Sequence, residues 1–156
     1  MNKEKLAFLQ SGYIEYLDKI NADSKALWGK MNAQQMLEHV SDFFKVSTEK
    51  IKYPIITPEE HLPKFKAFLL SDKEFRENTK APADIVAEEP ISIRNNNMQE
   101  ASSELKQEIT EFIKYFENEE EKKTAHPVFG NLNYEEWVLL HNKHVMHHFK
   151  QFGLIS

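Results

Sequence analysis

The sequence contains no cysteine. That absence excludes a disulfide framework, a thiolate nucleophile of the chain's own and any zinc–thiolate site. A reducing, cytoplasmic setting is the natural expectation. Also missing is any run approaching the roughly 18 apolar residues of a membrane span. The opening stretch Met1-Asn2-Lys3-Glu4-Lys5-Leu6 lacks the apolar core of a signal peptide, so no membrane association is expected. Positive charge is not in excess: the formal net charge is −5, and no basic stripe with interleaved aromatics occurs. Nucleic acid is therefore not an expected partner. The charged run from Glu117 to Lys123 reads as a solvated helix end followed by a loop.

What the chain does have suits one globular domain spanning residues 1–156. At this length folding should bury roughly 70% of the unfolded surface. Hydrophobic residues at 40%, with eleven phenylalanines among them, supply a core and argue against disorder. Four segments carry helical periodicity. Leu6, Leu9, Tyr13, Leu17 and Ile20 recur at three- and four-residue steps in the first. Asn32, with Gln35 three residues on, has the form of a capping box opening a second helix to about Val46. A third runs from about Met98 to Asn118, with Leu105, Ile109, Phe112, Ile113 and Phe116 inward. The fourth opens at Asn133, paired with Glu136, and continues to about Phe152 before Gly153.

Between the second and third helices, Pro54, Pro58, Pro63, Pro82 and Pro90 rule out a long uninterrupted helix from Ile51 to Asn97. Lys64 to Leu70 can still form a short helix with Pro63 at its start, and Ile91-Ser92-Ile93 alternates as a short strand would. The expected fold is thus all-α: a four-helix bundle with a long crossover connection between helices 2 and 3.

Four of the seven histidines, His141, His144, His147 and His148, fall in one eight-residue window. On a wheel with His144 at zero, Trp137 lies near about +20°, Gln151 near about −20°, Leu140 near about −40° and His148 near about +40°. Lys143, Lys150 and Asn142 fall well off this face. An i, i+4 pair stacks two imidazoles one turn apart, so that both can bind one metal ion. His147, near about −60°, is the competing partner at i+3, farther from the stripe. On the second helix His39 shares its face with Met36, Phe43 and Val46 and so points inward. Burying an unpaired imidazole costs roughly 1–3 kcal/mol, and either a hydrogen bond or a metal would offset it. Taken together, His39, His144 and His148 form a candidate facial metal site that leaves coordination positions open.

These residues resemble the DinB/YfiT-like superfamily of bacterial metal-binding helix bundles. The stretch from Trp28 through Gly29 and the capped helix to His39 is similar to that family's tryptophan, turn and first metal histidine. His144-Val145-Met146-His147-His148-Phe149-Lys150-Gln151 is similar to its C-terminal signature, in which the first and last histidines are ligands. The run from His126 through Pro127, Phe129 and Gly130 to Trp137 looks like a branch known mainly as a domain of unknown function. Where the family usually has Arg-Gly after the paired histidines, this chain has Phe149-Lys150. For better-understood relatives the resemblance implies transferase or isomerase activity with a low-molecular-weight thiol and a divalent metal, which this branch does not inherit automatically.

Three neutral imidazoles suit zinc, nickel, iron or copper rather than magnesium or calcium. Such a metal makes bound water or a thiol more acidic. The leading expectation is metal-assisted transfer of an exogenous thiol to a small electrophile. Metal-assisted hydrolysis, with Glu38, Asp42 or Gln35 as base or orienter, is the second, and a non-catalytic binding or assembly module the third. His126 is either an axial or gating ligand or a loop-shaping residue, with the latter preferred. His141 and His147 read as interhelical or supporting polar groups, and His61 as a solvated histidine of the crossover. A homodimer is compatible with a bundle of this kind.

Overall fold

Asparagine side chains open four of the helices. In the computed structural model, which describes residues 1–77, 79 and 92–156, Asn2, Asn32, Asn97 and Asn133 each accept a hydrogen bond from a backbone N–H of the first turn. At Asn32 and Asn133 the reciprocal bond from Gln35 or Glu136 is present too, so both capping boxes expected from the sequence form. The elements are α1 (Lys3–Ala7), a π-helical turn (Phe8–Gly12), α2 (Ile14–Leu17), α3 (Ala33–Ser47), a 3₁₀ turn (Glu59–His61), α4 (Leu62–Leu70), α5 (Met98–Phe116), β1 (Thr124–His126), β2 (Gly130–Leu132) and α6 (Tyr134–Gln151). The chain is mostly helical, as expected. No helix among the described residues is long and apolar enough to cross a membrane.

The first helical stretch is where local periodicity and geometry differ. Leu9, Tyr13 and Leu17 are all buried although each step is four residues. A straight α-helix would carry such a series progressively off the core face. The π turn, closed by Tyr13 N–H to the Phe8 carbonyl at 3.0 Å, widens one turn and keeps the row aligned.

One core runs through the molecule. Leu37 and Phe44 of α3, Leu105, Ile109 and Phe112 of α5, and Trp137, Leu140 and Phe149 of α6 are at most 1% exposed. Helix α6 ends as its glycine foretells. Gly153 takes φ of 68°, and the N–H groups of Gly153 and Leu154 reach back to the carbonyls of Lys150 and Phe149.

Two features were not legible in the sequence. A short antiparallel hairpin pairs Thr124 with Leu132 and His126 with Gly130, and three-residue strands carry too little alternation to be seen. The second is Lys143. It falls off the inward stripe, yet it is only 8% exposed. The crossover folds α4 and the following turn over that side of α6, and Lys143 Nζ donates to the carbonyls of Ser71, at 2.6 Å, and of Lys73. The crossover helix begins at Leu62, with Pro63 in its first turn. Pro82, Pro90 and Ile91 lie outside the described residues, and Ser92 and Ile93 form no strand.

Candidate metal centre

Helices α3 and α6 each supply part of a histidine cluster. His39 projects from the middle of α3, while His144 and His148 lie one turn apart on α6. Their Nε2 atoms meet: His39 to His144 is 3.1 Å, and His148 to His144 is 3.1 Å. All three potential ligand atoms lie within 4.8 Å of one another. Two nitrogens bound at about 2.05 Å to one ion are roughly 2.9–3.4 Å apart for coordination angles between octahedral and tetrahedral. Both contacts to His144 fall in that range, and the third pair lies within 4.8 Å, so the group is compact enough to hold a single metal ion.

Hydrogen bonding fixes the tautomer of His148. The Gln151 amide donates through Nε2 to the Trp28 carbonyl at 3.0 Å, which turns its Oε1 toward His148 Nδ1 at 2.7 Å. An acceptor there requires Nδ1–H on His148, so its Nε2 keeps a lone pair facing the cluster. Two of the three nitrogens then approach His144 Nε2 together. A single proton on that atom can be shared between them only poorly, whereas one cation satisfies all three lone pairs. Electrostatics point the same way. Burial pushes the His39 imidazole down to about 4, with a smaller push from His147. Burial, and then neighbouring histidines, hold His144 and His148 well below the ordinary histidine range. All three are neutral at physiological pH, the state a metal requires.

Around this centre the aromatic rings are close. Phe43, one turn beyond His39, stacks on His144 with centroids 4.0 Å apart and also lies 5.3 Å from His126. His147 sits 5.1 Å from His148 and between Trp28 and Phe75, outside the triad. His141 is fully buried and bridges helices: its Nε2–H donates to Ser47 Oγ at 2.9 Å, since that hydroxyl spends its own proton on the Phe44 carbonyl. His126 shapes the loop, with Nδ1 accepting from the backbone N–H groups of Val128 and Phe129 at 3.0 and 3.2 Å. It is not one of the three clustered histidines. His61 is exposed on the 3₁₀ turn.

The matching profile of the DinB superfamily covers residues 16–152. The chain belongs to the DinB superfamily. No curated protein and no solved structure matches it. As a DinB-like protein it falls among metal-binding helical proteins, and the three-histidine cluster is compatible with that.

The acids beside His39 in this DinB-like chain are committed elsewhere. Glu38, 1% exposed, accepts from the backbone N–H of Arg94 at 2.7 Å and from Gln34 Nε2 at 3.0 Å. Asp42 pairs with Arg94 at 2.9 Å, and Arg94 also binds Glu104 of α5. Gln35 spends its carbonyl oxygen on the Asn32 cap. Arg94, which no local pattern singles out, thus ties the end of the crossover to α3 and α5. Nor did the sequence reveal the part of Gln151, although its i+3 spacing from His148 was a usable signal. Removing it as Gln151→Ala should leave the fold intact and weaken zinc binding about 10- to 100-fold, read by competition with a chromogenic chelator. An unchanged affinity would mean that His148 needs no orienting partner.

Proposed function

We propose that this chain is a divalent-metal-dependent enzyme that transfers a low-molecular-weight thiol to a small electrophile. His39, His144 and His148 would hold the metal, zinc, nickel or iron, through their Nε2 atoms. The reading is carried by the convergence of those three atoms at 3.1 Å contacts, with His148 fixed as a lone-pair donor by Gln151. A bound metal of this kind would supply Lewis acidity, making a thiol or a water give up its proton near neutral pH.

The preference for thiol over water follows from what lies beside the triad. Hydrolysis benefits from a positioned general base, and Glu38, Asp42 and Gln35 are each engaged in other bonds. Thiol transfer asks less of the protein. In balance, R–SH and R′–X give R–S–R′ and HX: the sulfur lone pair forms the S–C bond, X leaves with its bonding electrons, and the thiol proton passes to solvent. The chain contributes no sulfur, having no cysteine. Its own residues bind, orient and exclude: Gln151 orients His148, and the half-buried Phe43 gives the site an apolar wall against His144.

Zinc- or nickel-loaded protein incubated with a panel of cellular thiols and alkylating electrophiles should form thioether only when metal and thiol are both present, and His39→Ala should abolish it. Ester or amide cleavage without thiol consumption would instead assign a hydrolase.

A further inference from the structure

The His126-Pro127 turn has a group that neither the loop nor the triad uses. His126 Nδ1 accepts two backbone hydrogen bonds, from Val128 and Phe129. Pro127 has no N–H, so the amides of Val128 and Phe129 close the turn. Because Nδ1 is an acceptor, the neutral ring carries its proton on Nε2. Burial drives the imidazole down to about 3, so this tautomer persists throughout the physiological range.

His126 is only 7% exposed, and no hydrogen bond to its Nε2 exists among the described residues. Nor is Nε2 among the sealed, partnerless side-chain atoms, which are Asn95 Nδ2, His141 Nδ1 and His144 Nδ1. The small exposed part of His126 therefore includes this N–H. The ring's nearest aromatic neighbours are Phe129 at 5.1 Å and Phe43 at 5.3 Å. Phe43 is the ring that stacks on His144, so one aromatic wall joins His126 to the triad.

We propose that His126 Nε2–H is a preset substrate-binding donor, gripping a carbonyl or carboxylate oxygen of the molecule whose apolar part lies along Phe43 beside the three histidines. A neutral N–H that cannot titrate near pH 7 polarises such an oxygen without needing a counter-charge in a dry site. The rest of the ring is already fixed by two backbone bonds and by aromatic packing, so little freedom is lost on binding. The ligand class is a short thiol or electrophile bearing an oxygen acceptor a few bonds from the reacting atom. This inference rests on the metal reading given above for its anchor point.

The test uses cobalt(II)-loaded full-length protein and its sulfur-to-cobalt absorption band. Mercaptoacetamide, 3-mercaptopropionamide and 4-mercaptobutanamide are titrated against alkanethiols of matched length. At least one amide should bind about fivefold tighter than its alkane partner, the yield of one neutral hydrogen bond. His126→Asn keeps an acceptor at the Nδ1 position but lacks the distal N–H, and should erase that preference. His126→Gln, which places an N–H near the Nε2 position, should restore part of it. No amide preference in the wild-type protein overturns the proposal, as does a preference that survives unchanged in a folded Asn variant. Failure of cobalt to bind at all would instead defeat the metal reading itself, and this proposal with it.

Discussion

Zinc added to chelator-stripped protein should raise the unfolding temperature by about 8–16 °C when free metal exceeds Kd a thousandfold. That excess contributes about 4 kcal/mol through binding to the folded state alone, and a protein of this size shifts by about 2–4 °C per kcal/mol. The shift should vanish in His39→Ala and His144→Ala, with stoichiometric metal lost on elemental analysis. His39 is the safer probe of the two. It is half-buried, whereas His144 lies under Phe43 and its removal leaves a cavity in packed surroundings. If both variants stay folded and retain the shift, the three nitrogens are a polar cluster and not a metal centre.

The second large effect is acid destabilisation of the metal-free protein. His39 and His126 are held neutral by burial down to about 4 and about 3, and His141, His144 and His148 are likewise held well below the ordinary range. Each therefore binds fewer protons folded than unfolded once pH drops below about 6.5. The sign follows: their contribution is fully present above about 6.5, declines as the unfolded chain takes up protons, and levels off only below the folded values. One pKa unit of difference is worth about 1.4 kcal/mol, so His39 and His126 alone involve several kcal/mol, comparable to the whole stability of a typical domain. Urea midpoints of the metal-free chain should fall steadily from pH 6.5 to pH 4.5, before ordinary carboxylates titrate. A flat midpoint across that interval would show that the buried imidazoles accept protons in the fold.

Much of the site could be anticipated because it is written in helical spacing. His144 and His148 are four residues apart behind an Asn133 cap, and His39 is seven residues beyond the Asn32 cap, so local geometry alone puts each on an inward face. The resemblance to the DinB superfamily pointed to the same three residues. Local spacing did not separate His147 from His148 with certainty; the amide of Gln151 and the aromatic contacts of Trp28 and Phe75 distinguish them. The fate of Glu38 was equally hidden, since its partner Arg94 lies 56 residues away at the far end of the crossover.

The sequence by itself determined which helices form, where most of them start and stop, and which faces turn inward, because capping and periodicity are properties of a few neighbouring residues. Only the tertiary structure decided which nitrogen of each ring meets which, that Lys143 is roofed by the crossover, and that His126 closes a turn while keeping one N–H open. Those outcomes depend on contacts between segments distant in the chain, and pairwise distances of a few ångströms are not encoded in any local pattern.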